Sequence, residues 1–270
     1  QLNLYGTVKV SGLGGKPYRD GSFAYYMSEP VIMNDPKGIG AFMLASNEME
    51  MLPTLDQGKG KTILLDRYFN DEVRKDFTGH NQYWHYVWEE RSNSGFYTFG
   101  QIFERYGATL KSLDAAPSGT NLKKASVYII VDPDHIKDNP SPNYVSPKDA
   151  KTIAKWVKKG GVLLLMANDS ANCDLAHFNI LAGKFGVAFT GNSLNMVKND
   201  QFEMGAVQSG VNDVFPTGIK MYLKEISGLS VKRPALPLVT NKGNVIIATA
   251  KYGKGAVFAV GDPWVYNEYL

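Results

Sequence analysis

Short apolar runs separated by helical patterns constrain the fold of this chain more than any other feature. The runs Thr62–Asp66, Val127–Val131 and Val162–Met166 are five residues long and are centred on Ile, Leu or Val. A strand that is buried on both faces has this composition because neither face meets water, and parallel strands are typically buried in this way. We therefore expect a buried sheet of mostly parallel strands after Lys61.

Helical segments lie between these runs, so strand–helix–strand connections are expected. The clearest helix begins after Ser146, a capping residue that is followed by Pro147 at the first helical position, and ends at Gly160. A further helix is predicted from Gly95 to Tyr106, capped by Ser92, Asn93 or Ser94, and another is predicted from Asn172 to Phe185. The alternation predicts the α/β class, with a doubly wound, mostly parallel sheet, helices on both faces and an antiparallel hairpin at the end.

The first 51 residues have a different pattern from the rest of the chain. They contain a glycine-rich turn at Gly12–Gly15 and a predicted helix at Ile39–Met51, which together cannot enclose a core of their own. The glycine-rich stretch that follows, with one proline, has the composition of a linker. We predict three parts: an N-terminal segment at 1–51, a linker at 52–60 and a domain at 61–270.

The bulk composition excludes several classes of protein. The 29 basic and 26 acidic residues are scattered, so no basic block indicates a nucleic-acid or membrane partner. The longest apolar runs are much too short to cross a bilayer. Cys173 is the only cysteine, so no internal disulfide can form. We therefore expect a soluble protein with neither nucleic-acid nor membrane partners.

Two stretches of the N-terminal segment carry a resemblance to a known family. They run from Gly12 to Tyr26 and from Asn34 to Ala45, and the second contains Asn-Asp-x-x-Gly-x-Gly-Ala-Phe. They resemble the last helix-loop-helix of the unsaturated rhamnogalacturonyl hydrolases of glycoside hydrolase family 105, which are (α/α)6 barrels that act on pectin fragments. The resemblance implies that residues 1–51 are the C-terminal remnant of such a barrel. It also implies that the preceding barrel of the same polypeptide is a partner of the domain that follows.

The remainder of the chain resembles a second kind of domain. Lys251–Gly255 and Gly261–Glu268 are similar to motifs of the glutamine-amidotransferase-like α/β domain of unknown function that follows such barrels in proteins of gut Bacteroidetes. This implies a class I amidotransferase-like or flavodoxin-like fold, with a periplasmic or extracellular parent protein. The aspartate general acid of the hydrolase would lie upstream of Gln1, so no position of this chain inherits it.

Catalysis by the domain itself is not expected from its sequence. Amidotransferases of this fold need a cysteine at the turn after the central strand, and a His and a Glu after a later strand. The turn Ala167–Ala171 has no cysteine, Cys173 comes too late, and Gly261–Trp264 has no His-x-Glu. Ser170 lacks a Gly-x-Ser-x-Gly frame and suits helix capping better. We predict no catalytic residue in this chain, within a parent polypeptide that is a glycoside hydrolase.

Polar residues at the ends of the strands are the remaining candidates for a site. Ligands of open parallel sheets bind beyond the carboxyl ends of the strands. Carboxylates and amides there can hold sugar hydroxyls or a hard cation such as calcium, although the same residue types also cap helices and close turns. The candidate ligand-binding residues are Asp66, Asn70, Trp84, Asp132, Asn168, Asp169, Glu203, Asp262 and Trp264.

An aromatic loop from His80 to Trp88 adds two alternatives. Its rings can stack on sugar faces, or they can pack the domain against the preceding barrel. A metal site on His80 and His85 is disfavoured, because the two are five residues apart and no cysteine is near. We therefore predict no metal and no cofactor.

The leading functional hypothesis follows from these observations taken together. The chain is the C-terminal portion of a pectin-degrading unsaturated rhamnogalacturonyl hydrolase, and its α/β domain is a non-catalytic accessory for packing, assembly or binding of an oligosaccharide. The alternative is that the domain is itself a hydrolase or a sugar-sensing module that uses the strand-end carboxylates.

Overall fold

The chain folds into two compact units, Gln1–Asp56 and Gln57–Leu270. The structure is a computed structural model that describes residues 3–52 and 55–264. Pro53 of the predicted linker and Val265–Glu268 of the C-terminal motif lie outside the described residues.

The N-terminal unit consists of two short strands and two helices. β1 (Thr7–Val8) pairs antiparallel with β2 (Val31–Ile32), and the helices are α1 (Phe23–Ser28) and α2 (Pro36–Met51). Asp35 caps α2, since its carboxylate accepts a hydrogen bond from the Lys37 N–H at 2.9 Å, and Pro36 occupies the first turn. The capped helix predicted here is confirmed, beginning three residues earlier than expected.

The N-terminal unit has no apolar core among its described residues. Asp35 is its only buried residue there, and no apolar side chain is buried. Its exposed large apolar side chains include Leu13, Tyr18, Phe23, Met27, Phe42, Met43, Leu44 and Met49. Burial of apolar surface is the main driving force of folding, so this unit gains little of it from its own residues.

The C-terminal unit contains thirteen described strands, three α-helices and three short 3-10 helices. In chain order the regular elements are β3 (Thr62–Asp66), β4 (Val73–Lys75), β5 (Asn81–Tyr83), α3 (Tyr97–Arg105), β6 (Thr109–Leu113), β7 (Val127–Val131), α4 (Pro147–Lys158), β8 (Val162–Met166), α5 (Leu175–Ala182), β9 (Val187–Phe189), β10 (Ala206–Gln208), β11 (Lys220–Tyr222), β12 (Leu229–Val231), β13 (Ala235–Asn241), β14 (Asn244–Tyr252) and β15 (Gly255–Val260). The 3-10 helices are Leu122–Lys124, Gly183–Phe185 and Phe202–Gly205.

The main sheet is mixed. Its nine strands run in the order β6-β3-β7-β8-β15-β14-β12-β9, and β13 pairs with β14. Every pairing among β6, β3, β7, β8 and β15 is parallel, whereas every pairing among β15, β14, β13, β12 and β9 is antiparallel. The predicted hairpin at the end is confirmed as β14–β15.

The prediction of a doubly wound, mostly parallel α/β sheet of the amidotransferase-like or flavodoxin-like type is therefore wrong. Half of the strand pairings in this sheet are antiparallel, and no α-helix lies between β9 and β15, a stretch described throughout, to make the right-handed crossovers that a doubly wound fold requires. The difference lies in the stretch between β9 and β14, for which the sequence pattern predicts no strand or helix. That stretch holds β10, β11, β12 and β13, of which three are only three residues long.

The parallel half of the sheet is buried on both faces. Alternate residues of β7 point to opposite sides: Tyr128 and Ile130 join one core cluster, while Ile129 and Val131 join the other. The first cluster includes α4 and α5 residues, and the second includes Phe96, Trp88 and residues of β10, β11 and β13. One face is thus covered by helices, and part of the other is covered by strands.

The cap of α3 differs from the prediction. Ser92, Asn93 or Ser94 was expected to cap this helix, but its N-cap is Phe96, which makes no side-chain capping bond. The hydroxyls of Ser92 and Ser94 instead donate to the buried Glu90 carboxylate at 2.5 and 2.6 Å. Because α3 begins at Tyr97, the residues Ser92, Asn93 and Ser94 lie two or more positions before its N-cap.

No helix in the described ranges combines the length and the apolar composition that crossing a bilayer requires.

We expect the capping box of α4 to contribute measurably to stability. Ser146 accepts from the Asp149 N–H at 3.2 Å, and Asp149 accepts from the Ser146 N–H at 3.0 Å. Ser146→Ala should lower the free energy of unfolding by about 1 kcal/mol in urea denaturation, because a helix N–H then loses its partner. Lys151→Ala, on the exposed side of the same helix, is the matched control and should change stability much less. Equal effects of the two substitutions would contradict this role of the cap.

Candidate functional site

Four strands of the parallel half place polar side chains at one edge of the sheet. Asp66 ends β3, while Asp132, Asn168 and Asp262 follow β7, β8 and β15 within two residues. A cavity of about 280 Å³ lies beside these strand ends. It is lined by Glu72, Trp84, His85, Tyr86, Asp132, Asp138, Asn168, Asn172, Lys224, Glu225 and Trp264. We call it the strand-end cavity.

Asp132 is the buried centre of this cavity. Its two carboxylate oxygens accept from the Asn168 N–H at 3.1 Å and from the Tyr86 hydroxyl at 2.9 Å. Its backbone carbonyl accepts from the Asn70 amide at 2.9 Å. These bonds join β7 to the turn after β8, to the aromatic loop and to the loop after β3.

Burial makes the acids at this edge weaker than usual. Burial raises the pKa of Asp132 to about 7, against the opposing effect of its bonds to Asn168 and Tyr86. Burial also raises the pKa of Asp66 to about 7 and that of Asp134 to about 6. A carboxyl group with a pKa near 7 can hold or release a proton at neutral pH, as general acids and bases do.

Aromatic rings form one wall of the cavity. Trp84, His85 and Tyr86 stack in sequence, with centroid distances of 4.7 and 4.2 Å. Trp264 closes the group at 5.7 Å from His85 and 5.3 Å from Tyr86. Within the loop, Trp88 turns away and packs in the core against Phe96 and Phe99. Part of the aromatic loop therefore packs in the core of its own domain, and part of it lines the cavity.

His85 and Glu72 form a hydrogen-bonded pair in the cavity wall. The Nδ1 atom of the His85 ring is 2.8 Å from a carboxylate oxygen of Glu72. The backbone N–H of His85 donates to the carboxylate of Glu90 at 2.9 Å. Burial disfavours the charged imidazole, but the hydrogen bond and charge of Glu72, with smaller contributions from Asp132 and Glu90, outweigh it and raise the pKa of His85.

Left-handed backbone is concentrated around the cavity. His85, Tyr86, Asp132 and Glu225 have φ angles of 66°, 54°, 35° and 53°, a region that costs energy for any residue with a Cβ atom. The other non-glycine residues with positive φ in the described ranges are Asn34, Asn195, Asn199 and Lys242, and none of them lines the cavity. Strain of this kind clusters at functional sites, where the surrounding structure holds it in place.

Three buried polar atoms at this edge have no hydrogen-bond partner in the described part of the chain. They are Nε1 of Trp84, Oδ1 of Asn168 and Oδ1 of Asp134, and the first two belong to residues that line the cavity. Buried polar atoms are nearly always paired in proteins, so unpaired atoms beside a cavity favour a ligand or ordered water there.

The structure brings four of the nine predicted site residues together at the cavity. These are Trp84, Asp132, Asn168 and Trp264. Asp262 lies directly behind them, since its carboxylate accepts from the Trp264 N–H at 2.8 Å and the Lys224 N–H at 3.0 Å. Asp262 thus positions two wall residues without lining the cavity.

The other four predicted residues have structural roles. Asp66 accepts from the Tyr128 hydroxyl and from the Phe69 N–H, which closes the turn after β3. Asn70 holds the Asp132 carbonyl, and Asp169 accepts from the Ala171 N–H at 2.8 Å in a turn. Glu203 is exposed and binds Lys220 and Tyr222 away from the cavity.

Several cavity residues were missed as site candidates. Glu72, Asn172, Lys224 and Glu225 lie in loops between short elements. His85 and Tyr86 belong to the predicted aromatic loop, and His85 was also weighed as a metal ligand, but neither is among the predicted ligand-binding residues. A polar residue in a loop carries no periodic signal, so only the aromatic density of the loop pointed towards this place.

Cys173 is not a nucleophile. It is 1% exposed and lies in the helix-covered core cluster. Burial, together with the negative charges of Asp132 and Asp174, raises the pKa of its thiol well above the usual range. The thiolate is the reactive form of cysteine, so this environment suppresses attack chemistry.

The donor set of the cavity suits a small polar organic ligand better than a metal ion. Within residues 3–52 and 55–264, no group of three His, Cys, Asp or Glu side chains could hold a metal ion. His80, considered with His85 as a ligand pair, instead contacts Thr78 in the β4–β5 turn. The volume is just below the roughly 300–1,000 Å³ of typical small-molecule sites, so it suits a single ring.

Comparisons with known proteins bear on the fold more than on the function. No family model matches the chain. It is similar to the N-terminal domain of mmIFT52, with 16% identity over 77% of this chain and 89% of that one and a TM-score of 0.57. Similarity at this level shows a shared fold, and it supports the mixed sheet over the doubly wound one.

Two curated bacterial proteins match a short part of the chain. Protein Atu3128 of Agrobacterium fabrum and the 24.9 kDa protein in picA locus of Rhizobium radiobacter are each 49% identical to it over 51 residues. The match covers 18% of this chain and 22% of each relative. The chain thus spans only about a fifth of the length of these relatives.

We expect Asp132 to make stability fall as pH rises. Its pKa is higher in the folded state than in the unfolded state, so the folded state binds more protons between about pH 4 and pH 7, and stability is lost over that interval. Asp132→Asn should reduce the loss between pH 5 and pH 8, measured by urea denaturation, by on the order of 2 kcal/mol.

The exposed Asp138 of the same cavity gives the control for this experiment. Asp138→Asn should follow the wild-type pH dependence. If Asp132→Asn also follows it, burial does not perturb Asp132 as described here.

We expect Cys173 to resist thiol reagents in the folded protein. Because it is the only cysteine, the colour released by a disulfide reagent at pH 8 reports on this thiol alone. Labelling of the native protein should be at least about a hundredfold slower than labelling in denaturing urea, since burial suppresses the thiolate. Rapid native labelling would contradict the inert assignment.

Proposed function

We propose that the strand-end cavity is a carbohydrate-binding site and that the C-terminal unit is a non-catalytic accessory of a pectin-degrading unsaturated rhamnogalacturonyl hydrolase. The chain would be the C-terminal portion of that enzyme, exported to the periplasm or the cell exterior. One observation carries the binding proposal: the aromatic side chains of Trp84 and Trp264, with several carboxyl and amide groups, line one cavity of about 280 Å³.

The chemistry of the cavity matches a sugar ring on two counts. The faces of sugar rings are apolar and stack on aromatic side chains such as Trp84 and Trp264. Sugar hydroxyls both donate and accept hydrogen bonds, which the carboxylates of Glu72 and Glu225 and the amide of Asn172 can satisfy. The left-handed backbone at His85 and Tyr86 holds two wall residues in fixed positions before a ligand arrives.

The N-terminal unit supports an origin in a larger protein. Its motif from Asn34 to Ala45 resembles the end of the hydrolase barrel, and its apolar side chains are exposed, Phe42, Met43 and Leu44 among them. Contiguous exposed apolar residues mark contact surfaces. We infer that a preceding barrel of the same polypeptide would supply a packing surface for this unit.

A second candidate function rests on the titratable groups of the same cavity. A His85–Glu72 pair with a raised His85 pKa lies beside Asp132, whose pKa is about 7. Such a combination can carry out general acid–base chemistry, as in a hydrolase. Loss of a measured hydrolytic activity in His85→Gln would favour this candidate over the accessory role.

The binding proposal is tested with unsaturated rhamnogalacturonan disaccharide as the probe. The chain should be stabilised against heat by the disaccharide and should not turn it over. Trp84→Ala should weaken binding, measured by calorimetry, at least about tenfold, because it removes a stacking surface from the cavity wall. Phe77→Ala is the matched control, since Phe77 is a fully exposed aromatic residue in the neighbouring β4–β5 turn.

The outcomes separate the candidates. Stabilisation that is lost in Trp84→Ala and kept in Phe77→Ala supports the carbohydrate site. Binding that is unchanged in both variants removes the strand-end cavity from the proposal. Turnover of the disaccharide by this chain refutes the non-catalytic role.

A further inference from the structure

A second and larger cavity lies at the opposite ends of the parallel strands. It has a volume of about 870 Å³ and is bounded by the starts of β3, β7 and β8, the last turns of α4 and the 3-10 helix Leu122–Lys124. Four lysines line it, namely Lys61, Lys123, Lys155 and Lys159, and we call it the lysine cavity. The strand-end cavity lies at the other end of the same strands, so the two are distinct.

The lysine cavity has a uniform positive charge. None of its lining residues is acidic, and none of the four lysines forms an ion pair within the described ranges. Lysines near the C-terminus of a helix interact favourably with the helix dipole, which explains Lys155 in the last turn of α4 and Lys159 at its C-cap but not Lys61 or Lys123. Convergence of four unpaired cations from three elements therefore favours an anionic ligand.

One wall of the lysine cavity is a fixed aromatic ring. Trp156 packs edge-on against Tyr128 at 6.2 Å, and it lies so close to Gly161 that a Cβ atom there would be 2.3 Å from the ring. Glycine at this position is what allows the ring to lie against the backbone. The hydroxyls of Ser126 and Thr152 add hydrogen-bonding groups to the same lining.

We propose that the lysine cavity is a second binding site, which takes a segment of an acidic oligosaccharide of the uronic acid class. Each residue of such a chain has a ring face that can meet Trp156 and a carboxylate that can meet a lysine. The volume is about three times that of the strand-end cavity and suits more than one ring. The choice of a uronate chain rests on the proposed function, whereas the preference for an anion rests on the lysines alone.

The arrangement fits nucleic acid less well. Single-stranded nucleic acids are bound along grooves with a series of aromatic residues, and arginine provides the planar fork that suits phosphate. Here one aromatic residue and no arginine line the cavity. The whole chain has 29 basic and 26 acidic residues, so the positive charge is local.

The test measures binding of a galacturonic acid trimer to the whole chain by calorimetry at low salt. Lys155→Gln/Lys159→Gln should weaken binding at least about tenfold, because it removes two of the four charges. Lys148→Gln/Lys151→Gln removes two exposed charges from the same helix outside the cavity and is the matched control. The control should bind as tightly as the wild type, and a neutral galactose trimer should bind none of the three proteins.

Binding should also weaken as salt rises, and less steeply in Lys155→Gln/Lys159→Gln. Equal trimer affinity in the two double variants, or no binding to the wild type, would overturn the proposal. Tighter binding of a thymidine oligonucleotide than of the trimer, with the same lysine dependence, would overturn the ligand class.

Trp84→Ala separates this inference from the proposed function. The trimer should still bind the lysine cavity in that variant, whatever happens to disaccharide binding at the strand-end cavity. Loss of trimer binding in Trp84→Ala, with no effect of the lysine substitutions, would place the acidic ligand in the strand-end cavity and refute the second site.

Discussion

The buried carboxyl group of Asp132 is the interaction on which the arrangement at the strand ends depends. It stands where β7 ends, and its oxygens accept from the Tyr86 hydroxyl and from the backbone of Asn168. Through these two bonds a core strand fixes both the aromatic loop and the turn after β8. A carboxyl group can be buried when its oxygens accept hydrogen bonds. The free-energy cost of burying its charge raises the pKa of Asp132. The same group therefore determines both the shape of the cavity and its response to protons.

The sequence predicted the parts of the fold that local chemistry determines. Apolar runs predicted β3, β7 and β8, because a strand that is buried on both faces consists almost entirely of apolar residues. Ser146 and Pro147 predicted the start of α4, because helix caps favour these residue types. The pairing of the strands was not predicted, since β10, β11 and β12 are each three residues long and too short to show the alternation of apolar and polar residues that marks a strand. Because these strands were not recognised, a doubly wound, mostly parallel sheet was predicted where the structure has a mixed one.

The candidate site was predicted only in part for a related reason. Asp132, Asn168 and Trp264 were expected because the carboxyl ends of parallel strands meet at one edge, an argument that needs the parallel strands alone. Trp84 was expected from the aromatic loop instead. Glu203 follows no parallel strand, and it binds Lys220 away from the cavity. Lys224 reaches the cavity because its N–H binds Asp262, a contact between residues 38 positions apart that no local pattern records.

The left-handed backbone at His85, Tyr86, Asp132 and Glu225 has a consequence for engineering this protein. Glycine would relieve roughly 1–3 kcal/mol of strain at each of these positions. At Tyr86 the replacement would also leave a hole in the core, which costs about 3–5 kcal/mol, and it would remove the hydroxyl that binds Asp132. Substitutions that raise the melting temperature are therefore best sought at sites far from the cavity.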